Sequence, residues 1–186
     1  MAYIDIIDYE QSEGELRTIY DELIASRGKL ADVHKIQSLN PKTIVNHMDL
    51  YMSIMFGKSP LKRVQREMMA VVVSRYNNCE YCQLHHAEAV NHYWKNAEKI
   101  ELLKKDYTQL ELSSVDFELC TYAKQLTLHP NHDNDESIEK LKQLGLNDRA
   151  ILDATLVISY FNFMNRIVLG LGLQPNASEI AGYKYD

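Results

Sequence analysis

The sequence predicts an all-α protein. Three observations carry this reading: apolar residues recur at helical spacing, helix start and stop signals bracket those runs, and no run shows the strict alternation of a half-buried strand. Ser12 with Glu15 makes a capping box ahead of Leu16, Ile19, Tyr20 and Leu23, and Gly28 can close that helix. Asn40-Pro41 pairs an N-cap with a first-turn proline, which opens a helix through about Met55 that Gly57 can end. Ser59-Pro60 repeats the start signal. The run that follows carries Leu61, Val64, Met68, Val71 and Val72 on one face. Asn77-Asn78 breaks this element and can cap the next, which runs to about Trp94.

Further on, Ser113 or Ser114 starts a helix that must end before His129-Pro130. The stretch "HPNHDNDES" reads as a polar loop. Residues 136–144 form a short amphipathic helix closed by Gly145, and Asn147 starts the last long helix, which Gly172 ends. A weak internal echo pairs "VVVSRYN" (71–77) with "LVISYFN" (156–162) at an offset of 85. Met164 and Ile167 then stand where the first copy has Cys79 and Cys82. A duplicated unit that kept its chemistry in one half accounts for this, and so does chance similarity of two apolar helices.

The composition bounds the function. A chain of 186 residues is most simply one domain, 1–186, and buries enough surface to need no disulfide staple. It is 46% hydrophobic and 25% charged, with mean hydropathy -0.33. A net charge of -6 and a pI near 5.6 leave no basic face for nucleic acid. No signal peptide is evident at the start, and the most apolar stretch, around residues 150–164, contains Asp153 and Asn162 and is too polar to span a membrane. The expected location is the cytosol, where a C-x-x-C pair is catalytic or metal-binding rather than structural.

That pair lies in "NNCEYCQLHH", residues 77–86, on the helix expected at about 79–94. With a helix beginning at Cys79, Cys79, Cys82 and His86 fall at i, i+3 and i+7 on one stripe. Cα atoms three apart on a helix are about 5 Å apart, within reach of a disulfide. His86 follows Cys82 by one turn, and first-turn N–H groups with the helix dipole favour a thiolate. Glu67 stands twelve residues before Cys79 on the preceding helix, which can fold back to bring it near. A carboxylate on an apolar helix needs a partner or a task, and taking a thiol proton is one.

Three further readings compete. C-x2-C-x3-H offers zinc three ligands, with Glu67, His85 or His92 as a fourth, although no second pair exists. The dithiol could instead serve a redox adaptor or sensor that meets peroxide rarely, or the cysteines could be inert core residues. Cys120 reads as a small core residue. His85 either shares the site or faces solvent; His34, His47, His92, His129 and His132 read as surface or interface residues.

Glu67, Cys79, Cys82 and His86 together make E-x11-C-x2-C-x3-H. This pattern resembles the alkylhydroperoxidase D-like branch of the carboxymuconolactone decarboxylase superfamily, near its peroxidase-related members. The ending "VISYFNFMNRIVLGLGL" is similar to that subgroup's C-terminal helix, and the resemblance covers about residues 35–173. It implies an all-helical fold of about seven to nine helices, a homo-oligomer (dimer, trimer or hexamer) and thiol-dependent reduction of hydroperoxides by an outside dithiol or protein reductant. No cofactor or metal is implied. Cys82 would be the peroxidatic cysteine, Cys79 the resolving one, and Glu67 with His86 the proton relay. The chain departs from the pattern at Tyr81, where such proteins often carry histidine. A phenol with pKa near 10 is a poor base at neutral pH, though it can donate a hydrogen bond to a thiolate.

Overall fold

A computed structural model of the chain describes residues 2–131, 135–180 and 182. Helices are the only regular elements among the described residues. They are α1 (Gly14–Arg27), α2 (Asp32–Lys35), α3 (Pro41–Tyr51), α4 (Arg63–Tyr76), α5 (Glu80–Trp94), α6 (Ala97–Lys105), α7 (Ser114–Leu128), α8 (Asp135–Gln143), α9 (Asp148–Gly170) and α10 (Ala177–Ile180), joined by short 3-10 turns. Eight of these run nine residues or more, so the expected all-α architecture holds. None is long and apolar enough to cross a membrane.

Helix α4 is the axis of the fold, packed against α5, α6, α7 and α9. The sequence suggests one apolar face, but every residue from Arg66 to Ser74 is buried, and Met69, Ala70, Val71 and Val73 have no exposed surface. Neighbours on all sides make α4 hydrophobic all round. Its valine run therefore reads like a buried strand in sequence yet sits in a helix. The main core gathers around it, with Leu103, Leu119, Cys120, Ala154, Val157 and Ile158. A second core joins α1 to α3 through Leu16, Ile19, Tyr20, Leu23, Ile44 and Met48.

Several boundaries follow the sequence signals. Gly28 ends α1 at φ 82°, a left-handed conformation open to glycine at little cost. The hydroxyl of Ser113 and the side chain of Asn147 accept from the N–H groups of Asp116 and Ala150, capping α7 and α9. Others differ. Ser12 does not cap α1: its hydroxyl donates to the Tyr9 carbonyl at 2.6 Å, and the helix begins at Gly14. Helix α3 passes into a π-helical turn, Met52–Phe56, which Gly57 ends. Helix α4 starts at Arg63 rather than beside Ser59-Pro60. The buried Arg66 guanidinium donates to the carbonyls of Ile54, Met55, Gly57 and Leu61, holding the intervening residues as an irregular link. The short α2, and α6 with its Asn96 cap, were not foreseen.

The echo acquires a physical contact. Asn77 and Asn162, equivalent across the offset of 85, are joined by a hydrogen bond from Asn77 Nδ2 to Asn162 Oδ1 at 3.0 Å, where α4 meets α9.

Burial all round α4 makes a sharp expectation. Met69→Ala should destabilise the chain by about 2–5 kcal/mol, as large-to-small changes in sealed cores do. The half-buried Val64→Ala should cost less than half as much. Urea midpoints of the two variants against the parent chain test this; equal small losses would mean that α4 has a solvent-facing side.

Candidate functional site

The site grows from the α4–α5 hairpin. Asn78, at φ 57°, turns the chain between the helices, and α5 doubles back along α4. This brings Glu67 and His86 together: His86 Nδ1–H donates to Glu67 Oε2 at 2.6 Å. On the other side of the carboxylate, Arg63, one turn earlier on α4, donates to Glu67 Oε1 from Nε at 2.8 Å and also from its terminal nitrogen. Burial opposes the charge on Glu67, but His86 and Arg63 outweigh it and hold the carboxyl below its ordinary range. A carboxylate has no proton to give, so Nδ1 carries the shared one and Nε2 is the ring nitrogen left to exchange protons. His86 also meets the Phe161 ring edge-on at a centroid distance of 4.4 Å.

Cys79 is the N-cap residue of α5, and Cys82 lies in its first turn. Both are free thiols, and they pack with Tyr81 and Val168. They lie close enough for the ionisation of one to affect the other. A Cys82 S–H donor lowers the Cys79 pKa, whereas giving up its own proton beside the Cys79 thiolate in a buried place raises Cys82 well above normal. The first proton lost from the pair thus leaves Cys79. The Asn165 amide, fully buried on α9, also reaches Cys82 and favours its thiolate. Cys82 rather than Cys79 opens onto a cavity of about 110 Å³. That cavity is lined by Met48, Tyr51, Tyr160, Phe161 and Met164, by His34, His47, His85 and His86, and by Glu67 and Arg27.

Tyr81 points elsewhere. Its hydroxyl donates to Glu179 Oε1 at 2.8 Å and accepts from the Val33 N–H at 3.2 Å. A phenol has one proton, so none is left for a thiolate, contrary to the donor role suggested by sequence. Glu179, on α10, also accepts from the Asp32 N–H at 2.9 Å and pairs with His85 Nε2 at 3.1 Å. Burial works against this carboxylate, but His85, the Asp32 amide and Tyr81 hold its pKa at about 2. His85 therefore belongs to the site's wall, stacked at 4.5 Å against Tyr81.

Cys79, Cys82, Glu67 and His86 are thus brought together as the spacing suggested, with Tyr81 beside them but turned to Glu179. Sequence reasoning missed Arg63, Asn165 and Glu179. Arg63 had a signal in its i, i+4 spacing from Glu67, and Glu179 in the pattern Asn176-x-x-Glu179, a helix-start signature. His34 and His47 were read as surface or interface residues, but both are buried in the cavity wall. Burial pushes their pKa values down, to about 3 and about 4, so both are neutral at pH 7. His92 and His129 are exposed, Cys120 is fully buried in the main core, and His132 lies outside the described residues. No group of three His, Cys, Asp or Glu side chains converges as metal ligands among the described residues.

The all-helical fold carries a C-x-x-C pair and a buried carboxylate–histidine pair. Residues 46–105, which include that pair and both cysteines, match the carboxymuconolactone decarboxylase family model. The fold matches an alkylhydroperoxidase AhpD core, an uncharacterized peroxidase-related protein from Ralstonia eutropha JMP134. The TM-score is 0.86 at 18% identity, over 96% of this chain and 94% of that one. It also matches an uncharacterized peroxidase-related protein from Silicibacter sp. TM1040, with TM-score 0.82 at 27% identity, over 95% and 90%. A third match is the debrominase Bmp8 in complex with 2,3,4-tribromopyrrole, with TM-score 0.77 at 17% identity, over 96% of each chain. No curated protein matches in sequence. Residues 46–105 thus resemble the carboxymuconolactone decarboxylase family, and the chain shares the fold of these peroxidase-related structures.

Glu179 generates a pH dependence. Its pKa falls from an ordinary 4.5 to about 2 on folding. Its contribution is therefore complete above the unfolded value and is lost as pH drops from about 4.5 toward about 2. Glu179→Gln should cost on the order of 2–3 kcal/mol at pH 7, and the gap to the parent chain should close across that acid window. Denaturant titrations of both chains between pH 7 and pH 2 test it; a gap that stays constant would show that the carboxylate charge plays no part.

Proposed function

We propose that this chain is an antioxidant oxidoreductase, a thiol-dependent peroxidase that reduces hydroperoxides through Cys82 and Cys79. The observation that carries the reading is that Cys82 opens into the same cavity as the Glu67–His86 pair. An adaptor that hands electrons to other proteins needs an exposed cysteine face, and Cys79 and Cys82 are only 1% and 5% exposed. The peroxidase-related names of the structural neighbours support the same direction.

In this mechanism the pair reacts from the state in which Cys79 has given up its proton, the ionisation that the neighbouring Cys82 favours. His86, one turn along α5, takes a proton from the pair through Nε2, while Glu67 supports the imidazolium that results. The Cys82 thiolate, aided by the Asn165 amide, attacks the terminal oxygen of the hydroperoxide. The O–O bond breaks, a Cys82 sulfenic acid forms, and the departing alkoxide takes the proton from His86 and leaves as an alcohol. The Cys79 thiolate then attacks the Cys82 sulfur, a disulfide forms, and the sulfenic oxygen leaves as hydroxide, which takes a proton from solvent to become water. An external dithiol or protein reductant returns two electrons. Tyr81 acts through Glu179, fixing the wall beside Cys82 rather than moving protons. The setting is the cytosol, as one domain in a homo-oligomer.

Cys82→Ser should abolish peroxide consumption with a dithiol reductant, and Cys79→Ser should give one equivalent of sulfenic acid and then stall. Mass spectrometry alongside peroxide loss distinguishes them; steady turnover in both variants sinks the thiol mechanism. Glu67→Gln should slow turnover at pH 7 by on the order of 10²-fold. A rate unchanged across the pH range would remove Glu67 from the chemistry.

A further inference from the structure

One cation on the cavity wall has no carboxylate beside it among the described residues. Glu67 faces Arg63 and His86, and Glu179 faces His85, Tyr81 and the Asp32 amide. His34 and His47 are neutral at pH 7. The rest of the wall is aromatic, thioether or aliphatic: Met48, Tyr51, Tyr160, Phe161, Met164 and Val33. Against this background Arg27 stands out. It lines the same cavity from the last turn of α1, half-buried, with no carboxylate partner among the described residues. Its guanidinium lies over two aromatic faces, 4.8 Å from the centroid of Phe56 and 5.8 Å from that of Tyr51. A guanidinium held by ring faces keeps N–H groups able to donate to a ligand.

A guanidinium edge over a partly dry aromatic wall is the arrangement that recognises a carboxylate in two parallel hydrogen bonds. On a chain with net charge -6, such a group also counters the repulsion an anion would otherwise meet. We propose that Arg27 determines substrate class: the cavity takes small organic hydroperoxides that carry a carboxylate, with Arg27 gripping the carboxylate while the peroxide reaches Cys82. The volume, about 110 Å³, suits a body near the size of one aromatic ring. The inference rests on the peroxidase reading for the identity of the reacting group, but the carboxylate grip is separable from it.

Two measurements keep these apart. In the first, reduced Cys82→Ser protein is titrated calorimetrically with phenylacetate and with neutral phenylacetamide. Phenylacetate should bind about tenfold more tightly or better, as a charge-assisted contact provides. Arg27→Gln in that background should erase the preference, and Arg27→Lys should restore part of it. In the second, the dithiol-dependent turnover of 4-carboxycumene hydroperoxide is compared with that of cumene hydroperoxide. The ratio of kcat/KM should favour the acid by about tenfold and collapse toward one in Arg27→Gln. Equal binding of acid and amide, or a preference that survives Arg27→Gln, overturns the proposal. An Arg27-dependent preference in binding without peroxide turnover upholds the grip and defeats the peroxidase reading instead.

Discussion

A charge buried in the middle of the central helix governs the rest of the molecule. Glu67 is 1% exposed on a helix otherwise wrapped in apolar side chains. An isolated carboxylate there would cost several kcal/mol. It persists because Arg63 meets one oxygen and His86 the other. These two contacts have different reach. Arg63 lies on the same helix and asks nothing of the tertiary structure, whereas His86 comes from α5 and can be met in one register of the two helices. Sliding α5 by one residue would swing His86 about 100° away and leave the carboxylate with Arg63 alone. The hydrogen bond between His86 and Glu67 therefore sets the register of the hairpin, and the register aims Cys82, one turn before His86, into the cavity.

The same region shows what the sequence could and could not tell. Cys79, Cys82 and His86 were legible because they share one helix, where spacing is geometry. Glu67 was legible because a short break between helices makes a hairpin the simplest path. Residues that reach the site from elsewhere carried no such rule. Asn165 comes from α9, and Glu179 crosses 98 residues of sequence to meet Tyr81. His34 and His47 sit on α2 and α3, whose inner faces could be assigned only once the neighbours were known. Helix ends failed where a local signal lost to a longer contact. Ser59-Pro60 has the chemistry of a helix start, but Arg66 draws the carbonyls of residues 54–61 to itself, and the helix waits for Arg63. Tyr81 was correctly placed next to Cys82, but the partner of its hydroxyl lay beyond any spacing argument.

The two echoing segments have taken different parts. In α4 the segment runs on into the turn and the dithiol; in α9 it continues as an unbroken helix that backs the site. Asn77 joins them, donating to both Asn162 and Asn165. Asn165 in turn donates to Ser74 and reaches Cys82. A small polar network thus crosses the core between the helices, with each buried amide given a partner, as such groups require. It ties the packing of α9 to the surroundings of the sulfur.

The carboxylate of Glu179 has a consequence in time. It joins Asp32 on α2 to Tyr81 on α5, yet it is made 147 residues after the first and 98 after the second. On the ribosome, α4, α5 and the dithiol emerge and can pair while this carboxylate does not yet exist. A nascent chain that ends before residue 179 holds both thiols and the Glu67–His86 pair behind an unfinished wall. Completion of the wall therefore waits for 98 residues of chain after Tyr81, and until then the sulfurs meet cellular oxidants without the tie that joins α2 to α5.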